Sequence, residues 1–114
     1  MELPRDASLL RIFIGERDEY EGQPLFKVIV LRAREHHLAG ATVFRGPMGF
    51  GRSSHLHTSG ILRLSFDLPI VIEIVDTEEK IQSFLTHIEG ILGPGLVTLE
   101  RVQAIFYKGK SDQP

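Results

Sequence analysis

Cysteine, tryptophan and asparagine are all absent from the 114 residues. Without cysteine, disulfides, zinc–thiolate centres and cysteine nucleophiles are excluded. A basic surplus is lacking too, because the formal net charge is −2. Proteins that live on nucleic acid need clustered positive charge against phosphate, so that class is disfavoured. No apolar run approaches the roughly 18 residues of a spanning helix, which argues against direct membrane insertion. The opening "MELPRDASLL" has no basic start followed by an apolar stretch and does not read as a secretory signal. A cytoplasmic protein is the expectation.

What remains is ordinary globular material. Apolar residues make up 42% and charged residues 25%, which is neither disordered nor fibrous. The length suits a single domain over residues 1–114, with a frayed tail at 108–114.

"SLLRIFIG" (8–15) is rich in β-branched and aromatic residues and reads as a first strand. After the polar connection "ERDEYEGQ", Pro24 stands where a helix tolerates a missing N–H. "LFKVIVLRAREHHL" then reads as helix, with Gly40 as its stop. Its apolar residues cover more than the one stripe a helix needs against a sheet, which suggests contact with another subunit. "ATVFRG" (41–46) is a second strand. In "LRLSFDLPIVIEIV" (62–75) every even position from 62 to 74 is apolar, so one face is core. Pro69 lies on the other phase and marks an edge, bulge or bend.

Asp76, with Glu79 three residues on, looks like a capping-box start. The second helix carries Ile81, Phe84, Leu85, Ile88, Ile91 and Leu92 and stops at Gly93. "LVTLERVQAIFYK" is a last strand whose apolar parity slips near Glu100–Arg101, which predicts a bulge there. The order βαββαβ predicts an α+β, ferredoxin-like domain: a four-stranded antiparallel sheet with two helices on one face. That fold hosts many functions, so chemistry must come from a site.

The stretch "RGPMGFGRSS" (45–54) is the candidate. Gly49-Phe50-Gly51 resembles part of a ribonucleoprotein motif, but the later stacking aromatics are missing. A phosphatase of the acylphosphatase type pairs arginine with asparagine, and there is no asparagine. His55 and His57, two apart on extended chain, could share a metal. His36 and His37 suit a helix C-terminus, where cations are favoured, and His87 falls on the surface. Successive glycines can converge backbone N–H groups on an anion, with Arg45 and Arg52 adding charge-assisted contacts and Ser53 and Ser54 hydroxyls. The residues alone leave the loop open between a phosphate nest and a plain strand connection.

"RIFIGERD", "PLFKVIVLRAREHHLAGATVFRGPMGFG", "LPIVIEIVDTEEKI" and "GLVTLERV", in this order over about residues 8–107, resemble the PII-like family known as domain of unknown function one hundred and ninety, in the PII/CutA superfamily. The resemblance implies a ferredoxin-like homotrimer that binds an adenine nucleotide in clefts between subunits. It also implies a signalling role without enzymatic activity, in which a loop over residues 45–60 is presented to a target protein, such as a membrane transporter. On that basis the nucleotide-binding candidates are Arg45, Gly46, Gly49, Phe50, Gly51 and Arg52, with Gly93 and Gly95 as the opposing turn. Glu16 is placed to meet the ribose or a magnesium ion. The turn "GPGLVTLE" carries no lysine, which favours AMP or ADP over ATP, and the loop has no counterpart of the tyrosine that PII proteins uridylylate. Two alternatives stand beside this reading: a CutA-like divalent-metal protein using His55 and His57, and a small phosphate-ester hydrolase.

Overall fold

Ile70, Ile72 and Ile74 are almost wholly buried, while the alternating Val71, Glu73 and Val75 are only half covered. A period of two with one buried face is what a strand packed on one side requires. The computed structural model describes residues 6–50, 56–58 and 68–108. In chain order the elements are β1 (Asp6–Gly15), β2 (Glu19–Tyr20), β3 (Gln23–Pro24), α1 (Leu25–Glu35), β4 (Thr42–Arg45), β5 (Met48–Phe50), β6 (Leu56–Thr58), β7 (Pro69–Asp76), α2 (Glu78–Ile88) and β8 (Leu96–Gln103).

β4, β7, β1 and β8 form one antiparallel sheet in that order. The βαββαβ ferredoxin-like arrangement is therefore the fold, with two two-stranded ribbons added, β2–β3 and β5–β6. Leu10, Ile12 and Ile14 of β1 join the β7 isoleucines in the core. α1 covers them with Leu25, Ile29 and Ala33, and α2 with Ile81, Phe84 and Ile88. Spacings of three and four residues place each set on one helical face. Leu31 of α1 stays exposed, outside that stripe. Among the described residues no helix is long and apolar enough to cross a membrane.

Several boundaries differ from the expectation. α1 ends at Glu35 rather than running to Gly40. His37 takes the left-handed conformation, φ 59°, that a glycine usually supplies. Its N–H donates to the Arg34 carbonyl and the Leu38 N–H to the Ala33 carbonyl, the two bonds of a Schellman stop. α2 ends at Ile88, before Gly93, and its N-cap is Thr77, whose hydroxyl accepts the Lys80 N–H. Asp76 is not the cap. It is fully buried, and its carboxylate accepts the N–H groups of Ala39 and Thr77.

β8 pairs with β1 in unbroken register from Leu96 to Gln103, so there is no bulge at Glu100–Arg101. β8 is an edge strand and mostly exposed, so its apolar parity is not dictated by a core. Pro69 is the first residue of the central strand β7, where its missing donor is tolerated. The part of the expected third strand over 62–67 lies outside the described residues, as does most of the tail.

The helix-free face of the sheet carries Phe13, Phe44, Val71 and Leu96 around a charged centre. There the Arg11 Nε donates to Glu73 at 2.8 Å and Nη1 to Glu100 at 3.1 Å. The bond to Glu73, with the charges of both carboxylates, pushes the Arg11 guanidinium above its ordinary value.

Candidate functional site

Antiparallel pairing brings the last residues of β1 and β4 and the first residues of β7 and β8 to one end of the sheet. Most of the sequence-predicted site residues fall at that end or in the ribbon beyond it. Glu16 directly follows β1, and its N–H donates to the Leu68 carbonyl at 2.8 Å. Arg45 closes β4, opposite Ile70. Ile70 also faces Ile14, so Arg45 and Glu16 both extend from the helix-covered side, across the start of β7. They meet there: Arg45 Nη2 lies 2.6 Å from Glu16 Oε2.

Gly46 follows Arg45 and donates its N–H to the Pro69 carbonyl at 2.7 Å. A Cβ at Gly46 would stand 2.8 Å from Pro69 Cγ, so the backbone passes close against the proline ring. Gly95 is held in the same manner on the other side of the sheet, where a Cβ would meet the Phe13 carbonyl oxygen at 2.7 Å. Gly93, by contrast, has open space around it. The Gly93–Gly95 turn leads into β8, so it shares the sheet end with Arg45 but stands beyond β1 and β7. Three strand spacings separate the β4 and β8 edges, about 14 Å.

Beyond Gly46 the chain forms the ribbon of β5 and β6, with Gly49 opposite His57 and Phe50 opposite Leu56. The expected nest therefore begins as a strand pair rather than an open loop. Gly51, Arg52, Ser53, Ser54 and His55 lie outside the described residues. Among the described residues, no group of three or more histidine, aspartate or glutamate side chains is placed to hold a metal.

Asp18 is a residue that sequence reasoning passed over as part of a polar connection. Its carboxylate accepts the Gly15 N–H at 2.9 Å, and its carbonyl accepts the N–H of Leu25, the first residue of α1. It shapes the turn that carries Glu16. The hairpin β2–β3 after it turns on Glu21 and Gly22, both with positive φ. That is the backbone of a tight two-residue turn, with glutamate where asparagine would have signalled it.

At the opposite end of the sheet, a cleft of about 320 Å³ opens between the last turns of α1 and the chain before β4. Val30, Ala33 and Leu38 through Ala41 line it, with Arg34 at hand. His36 and His87 are also at the C-terminal ends of the helices, their rings 4.2 Å apart, and Arg32 Nη1 is 3.1 Å from His87 Nε2. His87 is exposed, as expected.

The fold has known counterparts. The chain is similar to a UPF0166 protein of Aquifex aeolicus, 45% identical over 98 residues, covering 86% of this chain and 92% of that one. Its fold is similar to that of CPII, a nitrogen regulatory PII-like protein from Thiomonas intermedia K12 solved with ADP and bicarbonate. That likeness has a TM-score of 0.65 at 16% identity, over 87% of this chain and 88% of that one. It is also similar in fold to the divalent ion tolerance protein CutA1 of Ehrlichia chaffeensis, with a TM-score of 0.53 at 14% identity over 94% and 89% of the two chains. The family DUF190, described as uncharacterized ACR, matches residues 7–104. The chain belongs to the DUF190 (UPF0166) family, on a PII-like fold.

Proposed function

We propose that the protein is a PII-like regulator that binds an adenine nucleotide, AMP or ADP in preference to ATP, without chemistry of its own. The observation that carries this reading is that Arg45 and Gly46, on one edge strand, and Gly95, on the other, stand at the same end of a PII-like sheet. Arginine suits phosphate because its guanidinium forks onto two oxygens. The two glycines let the chain pass tightly against Pro69 and Phe13 at that end, which fixes the backbone around it. Nucleotide binding by the PII-like protein CPII, solved with ADP, supports the same ligand class.

Arg45 and the Gly93–Gly95 turn stand on opposite halves of the sheet, so a cleft completed by a neighbouring subunit fits better than a pocket within one chain. A homotrimer supplies such clefts, and the helix-free sheet face, with Phe13, Phe44 and Leu96, is apolar enough to be buried in it. The loop over residues 45–60, which includes β5 and β6, would change conformation with the nucleotide and meet a target protein. Gly49, Phe50, Gly51 and Arg52 belong to that loop in this reading, magnesium could accompany a diphosphate, and the setting is cytoplasmic. No observation among the described residues favours the metal-binding or hydrolase alternatives.

Isothermal titration of the full chain with AMP, ADP and ATP tests the reading. Saturable binding of AMP or ADP, tighter than ATP, is expected. No binding of any of the three, nor of a cyclic adenine dinucleotide, overturns it.

A further inference from the structure

Arg45 already has an anion. Its Nη2 is 2.6 Å from Glu16 Oε2, so the carboxylate takes part of the guanidinium that an incoming anion would bond. We infer that Glu16 is an internal competitor that holds Arg45 until an incoming phosphate displaces it, so that the carboxylate sets the affinity of the site for its anion. This rests on the nucleotide reading above and specifies its regulation.

Exposure makes the exchange feasible. The Arg45 side chain is 52% exposed and that of Glu16 30%, so a phosphate can reach the guanidinium and water can receive the carboxylate. An ion pair this open is weak. A phosphate carries more charge and offers a bidentate partner for the same fork. The two therefore compete on unequal terms, and the phosphate wins at modest concentration.

The backbone on which the pair stands is fixed. Arg45 and Glu16 bridge over the first residues of β7, tying the chain that enters the ribbon to the turn between β1 and β2. Gly46 stays pinned by its bond to Pro69 and by the proline ring. Releasing Arg45 thus exchanges its side-chain partner while the strand end holds, so the competition leaves the backbone of the site in place. The alternative role for Glu16, a direct contact to ribose or magnesium, predicts the opposite sign for its removal.

The test is titration of the full chain with ADP and with inorganic pyrophosphate, in the wild type, Glu16→Gln, Glu16→Ala, Arg45→Gln and the double variant Glu16→Gln/Arg45→Gln. Both Glu16 variants should bind more tightly than wild type, by about two- to fivefold, the strength lost with an exposed pair. In the Arg45→Gln background the gain should vanish. If ADP binds the wild type and the Glu16 variants bind it equally or more weakly, the competitor role is overturned and the nucleotide reading stands. If ADP fails but pyrophosphate binds with the same gain, the nucleotide reading falls and the competition stands. Failure of both ligands with every variant overturns both.

Discussion

Asp76 Oδ2 accepts the Ala39 N–H at 2.8 Å, joining the end of β7 to a loop 37 positions away in the chain. Oδ1 takes the Thr77 N–H at 2.6 Å, and Lys80 Nζ stands 3.6 Å from the same carboxylate while donating to the His37 carbonyl at 2.7 Å. A fully buried carboxylate is tolerated because its oxygens are bonded. Replacing Asp76 with alanine strands two backbone donors and frees the α1–β4 loop. The expected cost is about 2–4 kcal/mol, read as a lower urea midpoint, and Asp76→Asn should lose less because one acceptor remains. Equal stability of wild type and Asp76→Ala would contradict this.

Gly95 and Gly93 form a matched pair of probes. Gly95→Ala drives a Cβ into the Phe13 carbonyl, whereas Gly93→Ala enters open space. The first should destabilise by about 1–3 kcal/mol and the second by nearly nothing. Denaturant unfolding of both variants decides it, and similar losses for the two would be the wrong outcome.

Phe84 is fully buried beneath α2 and lies against the ring of His36. Phe84→Ala removes a large side chain from the centre of the core and should cost about 3–5 kcal/mol. Thermal and urea unfolding measure it, and a loss below 1 kcal/mol would mean the core is not organised around this helix.

Assembly is expected to use the helix-free sheet face. Phe44 is half exposed on it, opposite Val71. Phe44→Glu should leave the subunit folded and convert the proposed trimer to smaller species in sedimentation velocity. An unchanged distribution would place the interface elsewhere. Arg11 on the same face is charged as arginine always is, and its bond to Glu73 raises the guanidinium further. A raised pKa contributes stability at every pH below the ordinary arginine value and loses it only above. The effect of Arg11→Gln on assembly should therefore not change through deprotonation of Arg11 between pH 6 and 9.

Much of the core was legible because it repeats with a physical period. Ile70, Ile72 and Ile74 announce a one-sided strand, and Ile81, Phe84 and Ile88 announce a helix face. Endings were less legible. His37 took the left-handed position that glycine normally marks, so Gly40 misled by three residues of loop. Asp76 and Thr77 are both good caps by type, and only a distant partner, Ala39, decides which one caps. β8 misled because an exposed edge strand does not need a consistent apolar parity. At the candidate site, Glu16, Arg45 and the glycines could be named singly. That Glu16 and Arg45 pair depends on β4, β7 and β1 being neighbours, and no local pattern encodes it.

Amide chemical-shift mapping with ADP tests the central claim most directly, because it reads binding and place together. The account predicts saturable shifts concentrated at Glu16, Arg45, Gly46, Gly93 and Gly95, with smaller changes in the ribbon that follows. An unchanged spectrum at saturating ADP, or shifts confined to residues away from that end of the sheet, would contradict it.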